Sequence, residues 1–302
     1  MSQLAVIPEG ETGFDRVLGF TLPDRDARGR IVRLGPALDT VMSAHDYPTA
    51  IRQLLAEALV IAALVGSLLK DRDSQLTIQA QADDGIVQLL ACDYRNGEVR
   101  GYVNHRQDRL EACQGFPTLG DLFGSAYLAI TFDLAATKQR YQGIVPMVGE
   151  SLSEACQGYF VQSEQVPTLI RTKVRWVGGQ CIASGLLVQH LAEGEEGRER
   201  LHVRLDHPEW EHVAVLAGSV KPTELLDPAL SLEALIWRLY HEEREIRVEQ
   251  LAPIVRGCRC SAAYYKSVLM RFPENERVEM RGDDGVVSVD CAFCSKIFKI
   301  AV

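Results

Sequence analysis

The sequence predicts an α+β protein in three parts: a mixed α/β core domain over residues 1–190, a helical charged linker over 191–257, and a small C-terminal unit built on four cysteines over 258–302. Three observations carry this reading. A long apolar helical stretch is followed by short strand-like runs with no helices between them, which fits one or more antiparallel sheets around a central helix and not parallel βαβ repetition. The composition turns acidic after about residue 190. The last residues then hold two close cysteine pairs, Cys258 with Cys260 and Cys291 with Cys294.

At 302 residues the chain has room for one large domain and a smaller one, and 47% hydrophobic with 24% charged residues is the balance of an ordinary folded protein. The opening "MSQLAVIPEGETGFDRV" carries Glu9, Glu11 and Asp15 and no basic region leading into an apolar run, so the expectation is a cytoplasmic protein without a secretory signal. The most apolar stretch, Ala58 to Leu69, is 12 residues long, short of the roughly 18 to 20 that cross a bilayer. It reads as a buried core helix, and membrane association is not expected.

That helix is signalled by "PTAIRQLLAEALVIAALVGSLLKD", with Pro48 placed for a first-turn position. Next, "QLTIQAQ" alternates Leu76, Ile78 and Ala80 against Thr77, Gln79 and Gln81 as a strand does. Asn96-Gly97 between "GIVQLLACDY" and "EVRGYV" predicts a hairpin. "SAYLAITFDL", "YQGIVPM", "GYFVQSEQ", "TLIRTKVRWV" and "CIASGLLVQHL" continue the run of strand-like segments.

Between Gln189 and Glu249 there are 14 Asp and Glu against 7 Lys and Arg, so most of the net charge of -9 lies in the linker. Asp227-Pro228 resembles a helix cap with a first-turn proline, and Leu232, Leu235, Ile236, Leu239 and Tyr240 form an apolar stripe that must lie on something. His202, His207 and His212 recur at five-residue spacing, which suits neither one helix face nor one strand face, and they read as solvated linker residues.

Two cysteine pairs 31 positions apart, measured from Cys260 to Cys291, suit the tetrahedral preference of Zn²⁺, each pair supplying two corners. An iron–sulfur centre also takes four cysteines, but the spacing matches no cluster signature better than it matches zinc. A thioredoxin-like redox pair should open a helix inside a βαβ unit, whereas "VVSVDCAFCSKIFKI" reads as strand, knuckle and strand. A segment as short as 258–302 cannot be held by apolar burial alone, so a metal should supply much of its stability. Adjacent thiolates that close into disulfides cease to be good zinc ligands, so a cage of this kind can act as a switch. The remaining cysteines, Cys92, Cys113, Cys156 and Cys181, are scattered singly; only Cys156, beside "GYFVQSEQ", is a candidate reactive thiol, and Ser163 and Glu164 within that motif have no partner histidine placed by the sequence.

Other function classes fare worse. The first 190 residues hold no G-x-S-x-G, H-E-x-x-H, P-loop or G-x-G-x-x-G, so no enzyme is indicated. A zinc-ribbon nucleic-acid binder is the alternative, but from Leu251 onward there are only 8 Lys and Arg against 6 Asp and Glu. Nucleic acid is therefore not an expected partner.

Beyond the paired cysteines, "GYFVQSEQVPT" at Gly158–Thr168, "SGLLVQ" at Ser184–Gln189, "LIWRLYHEE" at Leu235–Glu243 and "GEVRGYV" at Gly97–Val103 give the chain a further pattern: it resembles the heat shock protein 33 family of redox-regulated cytosolic chaperones over essentially its whole length. One departure is Ser261-Ala262-Ala263-Tyr264-Tyr265 after Cys260, where the family usually continues with a charged Ser-Arg-Glu type stretch. The resemblance implies an ATP-independent holdase and not an enzyme. It implies one zinc per chain on Cys258, Cys260, Cys291 and Cys294 in the reduced, inactive form. It implies that oxidation pairs Cys258 with Cys260 and Cys291 with Cys294 and expels the zinc. Linker and C-terminal unit then unfold, and the exposed apolar surface, whose residues the sequence leaves unassigned, binds unfolding client proteins. The active form implied is a homodimer that passes clients to ATP-dependent chaperones.

Overall fold

The computed structural model describes residues 13–191 and 207–302. The opening stretch before Gly13, and His202 with the acidic run from Glu193 to Asp206, lie outside the described residues. In chain order come β1 (Arg16–Leu22), β2 (Ala27–Leu34), α1 (Pro36–Met42), α2 (Thr49–Gly66), β3 (Gln75–Ala82), β4 (Val87–Arg95), β5 (Glu98–His105), α3 (Gln107–Ala112) and α4 (Leu119–Phe123). After these follow β6 (Ala126–Leu134), β7 (Gln139–Pro146), α5 (Leu152–Tyr159), β8 (Thr168–Val177), β9 (Gln180–His190), α6 (Pro208–Gly218), α7 (Pro222–Leu226) and α8 (Leu232–Tyr240). The chain ends with β10 (Arg247–Gln250), β11 (Val255–Arg256), α9 (Ala262–Leu269), α10 (Glu274–Glu279), β12 (Val287–Asp290) and β13 (Ile297–Ile300).

Among the described residues the strands form three sheets: β10-β1-β2-β9-β8, β11-β5-β4-β3-β6-β7, and the hairpin β12-β13. All pairings are antiparallel except that of β11 with β5, which is parallel. The expected α+β class with antiparallel sheets and a central helix is what the chain adopts.

Helix α2 lies between the two large sheets and touches strands of both. Its apolar residues run right round the helix, because both flanks are covered: every position from Ala58 to Gly66 is buried. Length and composition alone would let this 18-residue helix cross a membrane, with a mean hydropathy of 1.6, but 78% of it is buried inside the fold. Two strand glycines let the layers close. A Cβ at Gly185 of β9 would stand 2.7 Å from Val60, and one at Gly101 of β5 would stand 2.8 Å from Leu55. Pro48 is the N-cap residue and not a first-turn residue; its carbonyl accepts the first helical bond from Arg52 N at 2.9 Å.

The hairpin expected at Asn96-Gly97 joins β4 to β5, and both turn residues have positive φ, 47° and 83°, as a type I′ turn requires. "GYFVQSEQ" departs from its strand reading. It ends α5 and continues as a π-helical turn, Phe160–Glu164. The reason is periodicity: Leu152, Ala155, Cys156, Tyr159 and Phe160 are buried at helical spacing, and a window opening at Gly158 cuts that stripe in half.

The sheet containing β1, β2 and β9 is covered on both faces. Val17, Val32 and Leu187 face α2, while Leu18, Phe20, Ile31, Leu186 and Val188 pack under Trp210, Val213, Leu235, Ile236 and Tyr240 of α6 and α8. This is why "SGLLVQ" reads as a continuous apolar run and not as an alternation. The stripe expected on "LIWRLY" thus lies on the core sheet, with α8 opening at Ser231, whose hydroxyl accepts the Ala234 N–H, and not at Asp227-Pro228, which forms the turn before it.

Polar contacts pin the same helices. Arg33, 1% exposed, donates from all three guanidinium nitrogens to the carbonyls of Leu225, Leu230 and Glu224. Arg25 pairs with Glu209 of α6 and with Glu243 just past α8, and Glu243 also meets His212 at 2.6 Å. The linker histidines are therefore not simply solvated: His212 holds Glu243, and His207 caps α6 and packs 4.9 Å from the buried His190.

Burial alone would raise the Glu243 carboxyl, but the Arg25 guanidinium and the His212 ring outweigh it and hold it below its ordinary value of 4.5. A carboxyl lowered on folding stabilises the fold fully above that ordinary value, and the contribution is lost as pH falls through the lowered one. Glu243→Gln should cost about 2 kcal/mol in urea unfolding at neutral pH, the worth of its charged hydrogen bonds, and the gap to the parent should close in acid. An equal gap at every pH would contradict this assignment.

Candidate metal centre

Cys258 and Cys260 follow directly on β11, the strand that ends against β5. Cys291 and Cys294 sit in the turn that joins β12 to β13, as the strand, knuckle and strand reading expected. Three backbone bonds set the knuckle: Cys291 N to Lys296 O at 3.0 Å, Cys294 N to Cys291 O at 3.1 Å and Ser295 N to Cys291 O at 2.7 Å, with Ser295 in the left-handed region at φ 56°. These bonds fold the C-x-x-C loop so that both sulfurs leave it on one side, facing the C-x-C turn.

The four sulfurs all lie within 4.8 Å of one another. Cys258 Sγ is 3.3 Å from Cys260 Sγ and 3.6 Å from Cys291 Sγ, and Cys260 Sγ is 3.5 Å from Cys294 Sγ. A tetrahedron with metal–sulfur bonds of about 2.3 Å has edges of about 3.8 Å, so the spacing fits a single tetrahedral ion. A disulfide needs a sulfur separation of about 2.05 Å. The four are separate thiols in this structure, as are Cys92, Cys113, Cys156 and Cys181.

Burial and the neighbouring sulfurs oppose ionisation of most of the cluster's thiols. Burial first, then the neighbouring sulfurs, push Cys260 up. Burial leads the upward shift of Cys294 as well. Burial opposes ionisation of Cys291 too, yet the Tyr265 hydroxyl, the Phe293 backbone N–H and the sulfurs of Cys294 and Cys258 bring it down to about 7. Four sulfurs this close cannot all carry negative charge without a positive ion among them, and a bound metal ion deprotonates coordinating thiols outright.

The surroundings were not legible in the sequence. Arg259, between the first cysteine pair, donates to Gln75 Oε1 at 2.9 Å and lies 3.6 Å from both Asp93 and Glu98. Phe293, between the second pair, packs against Arg100 and Tyr102. Ser295 Oγ donates to the Ala44 carbonyl at 2.6 Å. No motif signals these contacts, because each joins positions far apart in the chain. By contrast the other candidates do not gather into a site. Cys156 is fully buried, its thiol pushed up by desolvation and by nearby Glu57, which makes it a poor nucleophile. Cys181 is likewise pushed up to about 12, mainly by burial. Ser163 and Glu164 belong to the π-helical turn, where Glu164 accepts the Tyr159 hydroxyl at 2.9 Å.

With the four sulfurs gathered beside the outer face of one core sheet, comparison with known proteins is decisive. The Hsp33 protein family model matches residues 15–301. The chain belongs to the Hsp33 family. It is 37% identical over 294 residues to a 33 kDa chaperonin of Caulobacter vibrioides, covering 95% of this chain and 94% of that one. It is 30% identical over 281 residues to a 33 kDa chaperonin of Yersinia pestis, covering 93% and 90%. The fold is similar to the crystal structure of the 33 kDa chaperonin of Thermotoga maritima, with a TM-score of 0.77 at 23% identity over 95% of both chains. Family membership makes this a chaperone-family chain with a four-cysteine cluster that could bind a metal ion.

Replacing any one of the four cysteines by serine should lower the zinc retained per chain after dialysis, measured by atomic absorption. A variant that keeps the parent's zinc content would remove that residue from the ligand set.

Proposed function

We propose that the chain is a redox-regulated, ATP-independent holdase of the cytoplasm. In its reduced, inactive state Cys258, Cys260, Cys291 and Cys294 hold one zinc ion per chain. Oxidation joins Cys258 to Cys260 and Cys291 to Cys294. Each thiolate pair gives up two electrons as its S–S bond forms, so the two disulfides consume two molecules of peroxide, each reduced with two protons to two waters, or to an alcohol and a water. The sulfurs then no longer serve as thiolate ligands, and the zinc leaves. On this reading the chain divides functionally at the boundaries read from the sequence: 1–190 as core, 191–257 as linker and 258–302 as redox unit.

The observation that carries the proposal is how small the apolar core of the C-terminal unit is. Its apolar cluster consists of Leu269, Val287 and Ile300, with Tyr265, Val289, Phe298 and Val302 partly buried against them. A core of that size falls far short of the ordering entropy of such a segment, whereas structural zinc contributes roughly 10 to 16 kcal/mol. Zinc, when bound, keeps the four sulfurs deprotonated and together, so ligand oxidation is also unfolding of the unit.

The route to an apolar surface is continuous along the chain. β11 lies on the edge of one sheet beside β5, and β10 lies on the edge of the other beside β1. α8 follows immediately upstream, on Leu18, Phe20, Ile31 and Val188. Unfolding that spreads from Cys258 backwards would strip β11, then β10, then α8, and bare that face for unfolding clients. The active homodimer and the later transfer of clients to ATP-dependent chaperones belong to the same proposal by family resemblance.

The test follows zinc release with a chromogenic chelator while peroxide or hypochlorite is added at warm temperature, and records suppression of aggregation of a test protein in the same samples. Release of about one zinc per chain as protection appears, with both reversed by reductant and zinc, is the expected result. Zinc release with no protection would reduce the cage to a structural clip.

A further inference from the structure

The residues between the cysteines of each pair converge on one ion pair of the core. Phe293, inside C-x-x-C, sets its ring 4.0 Å from the guanidinium carbon of Arg100 and 4.9 Å from the Tyr102 ring, almost perpendicular at 87°. Arg259, inside C-x-C, lies 3.6 Å from Asp93. Asp93 in turn accepts both Nε and Nη2 of Arg100, at 2.8 and 2.6 Å, and the Thr77 hydroxyl at 2.8 Å, and is 4% exposed. Arg100 and Tyr102 stand two residues apart on β5, on the face opposite Gly101, which faces α2. The receiving surface is therefore rigid, an outer sheet face backed by the core helix.

We propose that Phe293 and Arg259 are the two prongs of a latch that reports the state of the cysteine cage to the core, with the Asp93–Arg100 pair as its receiver. This inference rests on the redox-holdase reading and adds to it the residues that transmit the change.

Effective concentration couples the two prongs to the cage. While the cage stands, its sulfurs fix C-x-C against C-x-x-C, so Phe293 and Arg259 are presented together at a set separation and bind the receiver as one bivalent ligand. When the cage opens, the two turns lie 31 positions apart in a chain without a sufficient core, and each prong must find its place alone. A stacked guanidinium, or an ion pair held at 3.6 Å, is weak by itself. The latch therefore holds only while the cage does. Charge acts in the same direction: four thiolates around a divalent cation leave net negative charge beside Arg100 and Arg259, and two disulfides leave none, so two guanidiniums then crowd Asp93 with less to compensate them.

The latch also explains what it guards. Val255 N donates to Gly97 O and Gly257 N to Val99 O, both at 2.9 Å, and these bonds hold β11 beside β5 immediately upstream of Cys258. They are the first backbone pairing that the opening of the cage would expose.

The experiment uses the reduced, zinc-loaded full chain with no oxidant and no client. Phe293→Ala and Arg259→Ala should each keep one zinc per chain while hydrogen exchange at the amides of Val255 and Gly257 accelerates about tenfold; Phe293→Tyr, which keeps a ring, should exchange as the parent does. Parent-like exchange in both alanine variants would overturn the latch. So would loss of zinc from both, which would make these side chains part of the cage, or a Phe293→Tyr variant as fast as Phe293→Ala. Because neither oxidation nor client protection enters the measurement, its failure leaves the holdase test untouched, and failure of the holdase test leaves this one readable.

Discussion

Four sulfur atoms that converge within 4.8 Å are the constraint on which the small C-terminal unit, 258–302, depends. They are delivered by two turns that share almost no other structure: one follows a two-residue strand on the edge of a core sheet, the other closes a short hairpin. The apolar cluster of the unit is as small as Leu269, Val287 and Ile300, and besides the sulfurs the two turns meet only through side chains that each sets on the core, Arg259 on Asp93 and Phe293 on Arg100. The same short S···S spacing that suits a tetrahedral ion sets Cys258 3.3 Å from Cys260, and all four sulfurs stay within 4.8 Å of one another. On the proposed function, one geometry serves both the metal-bound state and the oxidation that ends it.

The core obeys a different physics. α2 is buried between two sheets by apolar packing, with glycines admitting its side chains from both sides, and nothing in that layer depends on a metal. The outer face of one sheet carries α6 and α8 over Phe20, Ile31 and Val188, and the outer face of the other carries the cysteine unit over Arg100 and Tyr102. The two covers are joined by β10 and β11, one on each sheet edge. On the proposed function, unfolding that starts at Cys258 reaches the two covers in chain order and leaves the centre in place.

Much of this was legible in the sequence. The core helix declared itself by apolar residues all round, the hairpin by Asn96-Gly97, and the cage by two cysteine pairs whose spacing leaves few chemical alternatives. What escaped had physical causes. "GYFVQSEQ" passed for a strand because its helical stripe begins upstream at Leu152, and "SGLLVQ" has no alternation because both faces of its sheet are covered. The seat of α8 on the core sheet could be inferred as a need, from the stripe at Leu232, Leu235, Ile236 and Leu239, but not as a place. Arg33, Asp93, Arg100 and Phe293 were invisible altogether, since a buried guanidinium or a stacked ring takes its meaning from residues distant in the chain.

On the proposed function, the C-terminal unit is folded by a bound metal while the core is not. Hydrogen exchange across the whole chain, compared between the zinc-loaded protein and the same protein stripped by a strong chelator under reducing conditions, tests it without any oxidation. The account predicts loss of protection throughout 258–302 with protection retained in α2 and in β2, β4 and β9. Retained protection at β12 and β13 in the stripped, reduced chain would contradict it.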